Sequence, residues 1–315
     1  MKNEASQLSA YQEDKQRLID WFGRALGDRS RPRMIIAFSG GVDSALVCAA
    51  AQASWEASQT GHCGYRDGAV LDIQHDRLKA PIAVTAKSPS VASWQIDQAI
   101  TNAEQIGIIH HFVEPSEIND EAYRRNDSSR CFHCKTHLYS SIADAFVGIE
   151  EIVVCSGTNA DDLGDHRPGI AAGDQLGIRK PLAELGIGKT RVRELAKSFG
   201  LSCHDLPASP CLASRVVYGL SVSVSRLALI ETLEGQLRRA GFDPVRVRLR
   251  HQADGVSQTT LEVSQGDQGR LETWITQNDI EKKWWQEHRT RMEIDRRGFE
   301  SGRLNAPEEQ LNVIP

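Results

Sequence analysis

The sequence has no long hydrophobic run. Nowhere in its 315 residues does an apolar stretch approach the roughly 20 residues that a membrane-spanning helix needs. The N-terminal segment is polar and lacks the apolar core that marks a secretory signal peptide. We therefore expect a cytoplasmic protein with no membrane partner.

The sequence also lacks an excess of positive charge. Its 37 Lys and Arg residues are outnumbered by 42 Asp and Glu residues, which leaves a formal charge of −5. A mildly acidic chain has no broad basic surface for a polyanion, so we expect no nucleic-acid partner. Hydrophobic residues make up 40% and charged residues 25%, an ordinary globular composition that excludes wholesale disorder.

Cysteine is scarce as well. The 7 cysteines are an odd number and too few to form a disulfide scaffold in a chain of this length. We expect a reducing compartment, where an unusually placed cysteine is a candidate for catalysis or metal binding.

Short apolar segments alternate with helical patterns through the first half of the chain. Strands are predicted at residues 34–38, 81–85, 108–113 and 151–155, with helices between them. This alternation is typical of an α/β fold in which a parallel sheet carries helices on both faces.

The pattern changes near residue 220, where a helix is followed by two strands and a further helix. The predicted segments are an N-terminal helix at 1–30, an α/β domain at 31–219 with an insertion at about 55–79, a small α+β domain at 220–300 and a polar tail at 301–315.

The segment Ser39-Gly40-Gly41-Val42-Asp43-Ser44 joins the first predicted strand to a helix. Two glycines let the backbone approach a ligand, and the positive end of the following helix favours an anion. Backbone N–H groups and two serine hydroxyls suit a phosphate, and Asp43 fits beside it if Mg²⁺ lies between them. The alternative is a tight turn in which a Ser or Asp side chain caps the helix.

A second segment, Gly157-Thr158-Asn159-Ala160-Asp161-Asp162, follows the fourth predicted strand. Open α/β sheets bind ligands at the carboxyl ends of their strands, where paired aspartates can hold Mg²⁺ or orient a nucleotide. Arg167 adds a cation, and Lys189 occupies the first turn of a helix, where the helix dipole disfavours positive charge. The alternative is a solvated loop stabilised by Asx turns.

A third segment, Pro210-Cys211-Leu212-Ala213-Ser214-Arg215, contains a single cysteine in an irregular stretch. The nearby Arg215 favours a thiolate at Cys211, because adjacent positive charge stabilises the ionised form. The alternative is a buried structural cysteine.

Three arginines alternate along a predicted strand, at Arg246, Arg248 and Arg250. Guanidinium groups at this spacing share one face of a strand and suit bidentate contacts with phosphate or carboxylate. The alternative is the solvent face of an antiparallel strand.

The order of these segments is similar to that of a known family. Ser39–Ser44 resembles the pyrophosphate loop (PP-loop) of the adenine nucleotide alpha hydrolase-like superfamily, whose ATP pyrophosphatases adenylate a substrate and release pyrophosphate. With RCFHCK, GTNADDLGDHRPG, CLASR and VRVR following in that order, residues 33–263 resemble the sacrificial sulfur transferases called LarE.

The resemblance implies an activity. A LarE-like enzyme would use ATP and Mg²⁺ to adenylate a carboxylate of a nicotinate-derived pyridinium mononucleotide and convert it to a thiocarboxylate. The product would serve the nickel-pincer cofactor of lactate racemase. The partner would then be a small phosphorylated pyridinium substrate, and the resemblance further implies a homo-oligomer.

The resemblance also implies residue roles. The ATP site would comprise Ser39, Gly40, Gly41, Asp43, Ser44, Gly157, Asn159 and Asp162, with Asp43 near the Mg²⁺ ion. Cys211 would attack the adenylated carboxylate and lose its sulfur to the product, assisted by Arg215. The substrate phosphate would be bound by Arg246, Arg248, Glu234 and Ser214.

Cys131 and Cys134 form a CxxC pair that falls short of the four ligands of a structural zinc site. Some sulfur transferases of this superfamily hold a [4Fe–4S] cluster on three cysteines, and Cys131, Cys134 and Cys211 could form such a set. Sulfur would then come from cluster-bound sulfide. The alternative is a helix N-terminus with incidental thiols.

Two other functions stay open. Another ATP pyrophosphatase, such as a tRNA thiolase or an amide-forming synthetase, would share the first segment, but the chain shows neither a basic RNA-binding appendage nor room for a glutaminase domain. A nucleotide-binding regulatory protein would have no need of Cys211, Arg246 and Arg248 together.

Overall fold

A computed structural model describes residues 2–25, 33–60, 80–149, 151–164, 168–250, 258–288 and 290–299. Most of the predicted insertion, the predicted tail at 301–315 and Arg167 lie outside the described residues. The chain divides into two compact units, Met1–Glu117 with Cys131–Ser209 and Ile118–Arg130 with Pro210–Pro315. Within the described ranges, no helix is long and apolar enough to cross a membrane.

The helices and strands follow one another in chain order. The first part contains α1 (Lys2–Ala25), β1 (Arg33–Ala37), α2 (Val42–Thr60), β2 (Ile82–Ala86), α3 (Ser93–Ile106), β3 (Ile109–Val113), α4 (Glu121–Arg124), α5 (Arg130–Ala145) and β4 (Ile152–Ser156). The rest contains α6 (Pro168–Gln175), α7 (Pro181–Glu184), α8 (Lys189–Ser198), α9 (Val224–Arg239), β5 (Val245–Arg250), β6 (Gln258–Val263), α10 (Gln268–Gln277), α11 (Ile280–His288) and β7 (Arg291–Ile294). Because α2 extends to Thr60, the expectation of an irregular segment from residue 55 is wrong for residues 55–60.

The first unit is built on a parallel sheet in the order β3-β2-β1-β4. Side chains of β1 alternate between its two faces: Ile36 joins a core with α1, α2 and α8, while Ile35 joins a second core with Tyr139 and Ile142 of α5. Helices therefore cover both faces. The predicted α/β fold and its four parallel strands are confirmed.

The strand order also determines where the candidate loops lie. β1 and β4 are neighbours, paired in parallel from Arg33 opposite Ile152 to Ala37 opposite Ser156. Their carboxyl ends meet at one edge of the sheet, so the segments that begin at Ser39 and at Gly157 emerge side by side.

The second unit packs α9 against a three-stranded sheet in the order β5-β6-β7. β5 and β6 correspond to the two predicted strands and pair in antiparallel, whereas β7 pairs with β6 in parallel and was not predicted. Its four residues, Arg-Met-Glu-Ile, are too short and too polar for a strand pattern to stand out.

The boundary between the units differs from the predicted one. The predicted boundary lies at 219/220, whereas the compact units divide between Ser209 and Pro210. The second unit also takes residues 118–130 from the middle of the chain, which the prediction assigns to the α/β domain. Asn126 donates to the Val217 carbonyl, and Arg215 pairs with Glu234 of α9, so both segments are joined to the second unit by contacts between residues distant in sequence, which local patterns do not signal.

A polar network attaches α1 to the first unit. The Glu184 carboxylate accepts hydrogen bonds from Arg179, from the Lys180 backbone N–H at 2.9 Å and from the Trp21 indole Nε1 at 3.0 Å. The Arg179 guanidinium also lies 4.7 Å from the centre of the Trp21 ring. Hydrogen bonds from Arg179 are the largest cause that lowers the pKa of Glu184 to about 2.

We predict that Glu184→Gln lowers the free energy of unfolding by about 1 kcal/mol at pH 7, because a charge-assisted pair becomes a neutral one. A carboxyl whose pKa is depressed on folding stabilises above its ordinary value of 4.5, and this contribution disappears as the pH falls towards about 2. Urea unfolding at pH 7 and at about pH 3 measures the change. The difference between variant and wild type should shrink at the lower pH.

The control is Glu104→Gln, at an exposed position on α3. It should change stability by less than about 0.5 kcal/mol at both pH values. A Glu184→Gln effect that stays constant with pH would contradict the role assigned to the ionised carboxylate.

Candidate active site

The loop after β1 has a backbone that only glycine permits at one position. Gly40 has a φ of 75°, and a Cβ there would lie 2.9 Å from the backbone N and Cα of Ala99. The Asn102 side chain donates to the Gly40 carbonyl at 2.7 Å and holds this turn against α3. The loop is therefore fixed by its neighbours without any ligand.

Two serine hydroxyls meet inside this loop. The Ser39 backbone N–H donates to Ser44 Oγ at 3.2 Å, and Ser44 Oγ donates to the Gly41 carbonyl at 3.0 Å. Ser39 Oγ lies 3.2 Å from Ser44 Oγ. Because α2 begins at Val42, its positive end lies at these hydroxyls, an arrangement suited to an anion such as phosphate.

The loop after β4 touches the first loop. A Cβ on Gly157 would lie 2.6 Å from the backbone N of Ser44 and 2.9 Å from the carbonyl carbon of Asp43, so only glycine allows this approach. The buried Asn159 donates from Nδ2 to Asp43 Oδ1 at 3.0 Å. The structure thus places Gly157 and Asn159 beside Asp43 and Ser44, as their predicted shared site requires.

The two aspartates of the second loop each accept a hydrogen bond from a backbone N–H group. Asp162 accepts from the Asn159 backbone N–H at 3.1 Å, and Asp161 accepts from the Lys189 backbone N–H at 2.7 Å. Asp161 thereby receives a backbone N–H at the start of α8. Asn159 Oδ1 accepts from the Asp161 backbone N–H at 3.0 Å, an Asx turn of the kind that the alternative predicts, while the Asp161 contact sets the position of Lys189.

Lys189 completes this cluster. Its ammonium forms an ion pair with Asp43 Oδ2, so Asp43 is held by Asn159 on one oxygen and by Lys189 on the other. The sequence singles out Lys189 by its unfavourable place in a first helical turn but assigns it no ligand. The ion pair with Asp43 offsets the unfavourable placement of a positive charge at the N-terminus of α8.

In the second unit, the backbone around Cys211 is tightly held. Its carbonyl accepts from the Ser214 N–H at 3.0 Å, from Ser214 Oγ at 2.7 Å and from Arg215 Nη1 at 2.8 Å. Arg215 also donates to the Pro210 carbonyl. The Cys211 residue itself is partly exposed, so the buried structural cysteine that the sequence left open is wrong.

Arg215 is nearly inaccessible. It is 1% exposed and pairs with the buried Glu234, whose Oε1 accepts from Arg215 Nε at 3.0 Å and from the Val247 backbone N–H at 3.0 Å. Arg215 and Glu234 therefore tie the Cys211 loop to α9 and β5. Ser214 lies in the same group, with its hydroxyl 3.2 Å from Arg215 Nη1.

Arg246 and Arg248 are buried, which excludes the solvent-exposed alternative for both. Arg248 forms an ion pair with Glu262 across the antiparallel strands. Arg246 Nη1 is buried and has no hydrogen-bond partner among the described residues, and the Phe299 ring lies 5.3 Å from its guanidinium. Burial, followed by repulsion from Arg215, lowers the pKa of Arg246 to about 10.

The group as a whole carries surplus positive charge. Its members are Arg215, Arg246, Arg248, Glu234 and Glu262, three cations with two anions. A buried guanidinium left with an unused donor is costly unless a ligand supplies the missing anion. The arrangement therefore suits a small anionic group.

Comparison with known proteins places the chain in a family, although no family model matches it. The chain is 32% identical to an uncharacterized protein of Synechocystis over 274 residues, which covers 87% of this chain and 92% of that protein. It is 28% identical over 275 residues to the pyridinium-3,5-bisthiocarboxylic acid mononucleotide synthase of Lactiplantibacillus plantarum, covering 87% of this chain and 89% of the synthase. The chain belongs to the LarE family.

A third relative, an uncharacterized protein of Methanocaldococcus jannaschii, is 28% identical over 216 residues, or 69% of this chain and 73% of the relative. The family resemblance drawn from the sequence is thus confirmed. The residue roles that it implies are not tested by these identities and stay predictions.

The six cysteines that the structure of this LarE-family chain describes fall into two classes. Cys48, Cys155 and Cys203 are buried, and burial raises the pKa of each thiol, so these three are poor nucleophiles. The accessible cysteines of the described ranges are Cys131, Cys134 and Cys211. Cys131 and Cys134 lie one turn apart at the start of α5 in the first unit.

An iron–sulfur site on these three cysteines stays a prediction. Among the described residues, no three His, Cys, Asp or Glu side chains are grouped so as to hold a metal ion. Cys131 and Cys134 belong to one unit and Cys211 to the other.

We predict that Gly157→Ala lowers the free energy of unfolding by about 2 kcal/mol, because the added methyl group would overlap the backbone of Ser44. The matched control is Gly164→Ala, since a Cβ on Gly164 meets no atom of the described residues within 4 Å. Urea denaturation measures both variants. Equal midpoints for the two would show that the loops do not make the close contact described.

Proposed function

We propose that the protein is an ATP-dependent sulfur transferase that converts a carboxylate of a pyridinium mononucleotide into a thiocarboxylate. The observation that carries the proposal is Arg246, a buried guanidinium with an unused donor in the same unit as the accessible Cys211. Arg215 donates to the Cys211 carbonyl and repels Arg246, so it links the possible nucleophile to the anion-seeking guanidinium, as a phosphorylated acyl substrate would require. The name of the Lactiplantibacillus relative, a bisthiocarboxylic acid mononucleotide synthase, supports this substrate class.

The first unit would bind ATP. Its loop after β1 offers the Ser39 and Ser44 hydroxyls together with the N-terminus of α2, and Gly157 closes the other side. Asp43 supplies a carboxylate oxygen of the kind that Mg²⁺ prefers, so it would hold the ion that accompanies the nucleotide. Bound Mg²⁺ neutralises phosphate charge and favours departure of pyrophosphate. Lys189 would then turn from Asp43 to a phosphate oxygen.

The chemistry requires two displacements and one elimination. A substrate carboxylate oxygen attacks the α-phosphorus of ATP, and pyrophosphate leaves. The Cys211 thiolate attacks the resulting acyl adenylate, AMP leaves, and a thioester forms. Removal of the Cys211 α-proton then breaks the bond between Cβ and sulfur. The electron pair of that bond stays on sulfur, so the product is a thiocarboxylate and residue 211 becomes dehydroalanine.

Arg246 and Arg248 would hold the substrate phosphate in this scheme. Arg248 is already paired with Glu262, so it would contribute mainly electrostatic attraction. Arg246 would contribute a hydrogen bond, because its Nη1 has no partner among the described residues. A phosphate monoester would relieve the repulsion among the buried guanidiniums as well as supply the missing acceptor. The product would serve the biosynthesis of the nickel-pincer cofactor of lactate racemase.

We predict that incubation with ATP, Mg²⁺ and the pyridinium dicarboxylate mononucleotide lowers the intact mass by about 34 Da, one H₂S, at Cys211. Cys211→Ala should neither lose this mass nor form product. The control is Cys203→Ala, which removes a buried thiol and should behave as wild type. Intact-protein and peptide mass spectrometry measure the change.

The outcomes separate the alternatives. Thiocarboxylate product with unchanged protein mass would favour sulfide bound on a cluster held by Cys131, Cys134 and Cys211; an absorbance band at about 400 nm, lost in Cys131→Ala, would support that route. Pyrophosphate without sulfur transfer would favour an amide-forming or tRNA-modifying enzyme. If neither thiocarboxylate product nor pyrophosphate forms, the proposed function is contradicted.

We predict that Arg246→Met raises the substrate concentration for half-maximal rate by about 100-fold, through loss of a charge-assisted contact. The same change should raise the melting temperature, because it removes a buried guanidinium whose Nη1 has no hydrogen-bond partner among the residues that the structure describes. Arg250→Met is the control, since Arg250 is only partly buried at the end of the same strand. Unchanged substrate affinity in Arg246→Met would argue against a phosphate at this site.

A further inference from the structure

The Cys211 segment is held on a second side by Asn126 and by Arg130, the first residue of the RCFHCK motif. Asn126 is completely buried and has a φ of 56°, a left-handed conformation that asparagine tolerates better than most residues. It belongs to the segment 118–130, which the second unit takes from the middle of the chain.

The Asn126 side chain binds the backbone that follows the Cys211 turn. Its Nδ2 donates to the carbonyls of Val217 and Leu220 at 2.8 Å and to that of Val216 at 3.2 Å. Its own backbone carbonyl accepts from the Gly219 N–H at 3.0 Å. One buried amide therefore organises residues 216–220.

Arg130 links Asn126 to the turn itself. Arg130 Nη1 donates both to Asn126 Oδ1 and to the Ala213 carbonyl, the latter at 2.8 Å. Its guanidinium lies 5.5 Å from the centre of the Tyr218 ring, and only 6% of the residue is exposed. Ala213 is the central residue between Cys211 and Arg215, so this contact fixes the middle of the turn.

Two arginines thus hold the turn through hydrogen bonds to its backbone carbonyls. Arg215 binds the Pro210 and Cys211 carbonyls on one side, and Arg130 binds the Ala213 carbonyl on the other. Backbone carbonyls held by charged donors cannot rotate freely, so the partly exposed Cys211 side chain starts from a fixed backbone.

We propose that Asn126 and Arg130 are positioning residues that aim the Cys211 thiol at the adenylated carboxylate. This inference rests on the proposed nucleophilic role of Cys211. Misplacement of a reacting atom by about 1 Å costs about 100-fold in rate, so loss of either side chain slows attack while leaving the phosphate contacts of Arg246 in place.

The test compares Arg130→Met, Arg130→Lys and Asn126→Gly. Glycine accepts a positive φ, so Asn126→Gly removes the side-chain hydrogen bonds without straining the backbone. The matched control is Arg125→Met in the same segment, where Arg125 lies on the surface, 3.7 Å from Asp127. Circular dichroism and thermal unfolding establish the folded fraction of each variant.

Two rates are measured for each variant. The first is the single-turnover rate of thiocarboxylate formation at saturating substrate, with the substrate concentration for half-maximal rate. The second is the rate at which iodoacetamide alkylates Cys211, followed by peptide mass spectrometry without any substrate. The alkylation rate reports how freely the turn moves around Cys211. The turnover rate reports how well the Cys211 thiol is aligned with the substrate.

We expect Arg130→Met and Asn126→Gly to slow turnover about 100-fold, with the half-maximal concentration changed less than about threefold. Alkylation of Cys211 should become about fivefold faster as the turn loosens. Arg130→Lys should recover at least about tenfold in turnover, and Arg125→Met should match wild type.

Any other pattern overturns the inference. Turnover loss without faster alkylation would assign Arg130 to another step, and loss in proportion to the folded fraction would show a merely structural role. A Cys211→Ser variant that still forms thiocarboxylate would instead refute the proposed function. The alkylation rates would still report whether the two residues hold the turn.

Discussion

Burial of charge is the constraint on which the second unit depends. A buried arginine must find anionic or carbonyl oxygens, and each pair that forms joins two parts of the chain. Arg215 with Glu234 joins the Cys211 turn to α9, and Arg248 with Glu262 joins the two antiparallel strands. Arg246 Nη1 has no hydrogen-bond partner in the part of the chain that the structure describes, and this unmet donor is the basis of the proposed phosphate contact.

In the first unit, one carboxylate likewise needs partners that compensate its charge. Asp43 lies beside a loop built for anions, and in the structure its charge is balanced by Lys189 and Asn159, which come from two other elements. Parallel neighbours β1 and β4 bring these elements together, since their carboxyl ends share one edge of the sheet. The proposed nucleotide and its metal ion would bind at this edge of the sheet.

Much of the fold could be predicted because it depends on local patterns. The four strands of the parallel sheet are short apolar runs, and β5 is marked by its alternation, so each appears within one or two residues of its predicted place. β7 was missed because it has only four residues, too few for a strand pattern to stand out. The division at Ser209 was missed because it reflects contacts between residues distant in sequence, such as Arg215 with Glu234 and Asn126 with Val217.

The sequence by itself determined the family, the parallel sheet and the two glycine turns, because motif order and residue type are properties of the chain. Tertiary structure alone decided that Arg246 and Arg248 are inside and not on a solvent face. It also decided that Lys189 meets Asp43, and that Asn126 and Arg130 grip the turn after Cys211. The physical reason is common to all three: burial and pairing of polar groups depend on residues that meet only after folding.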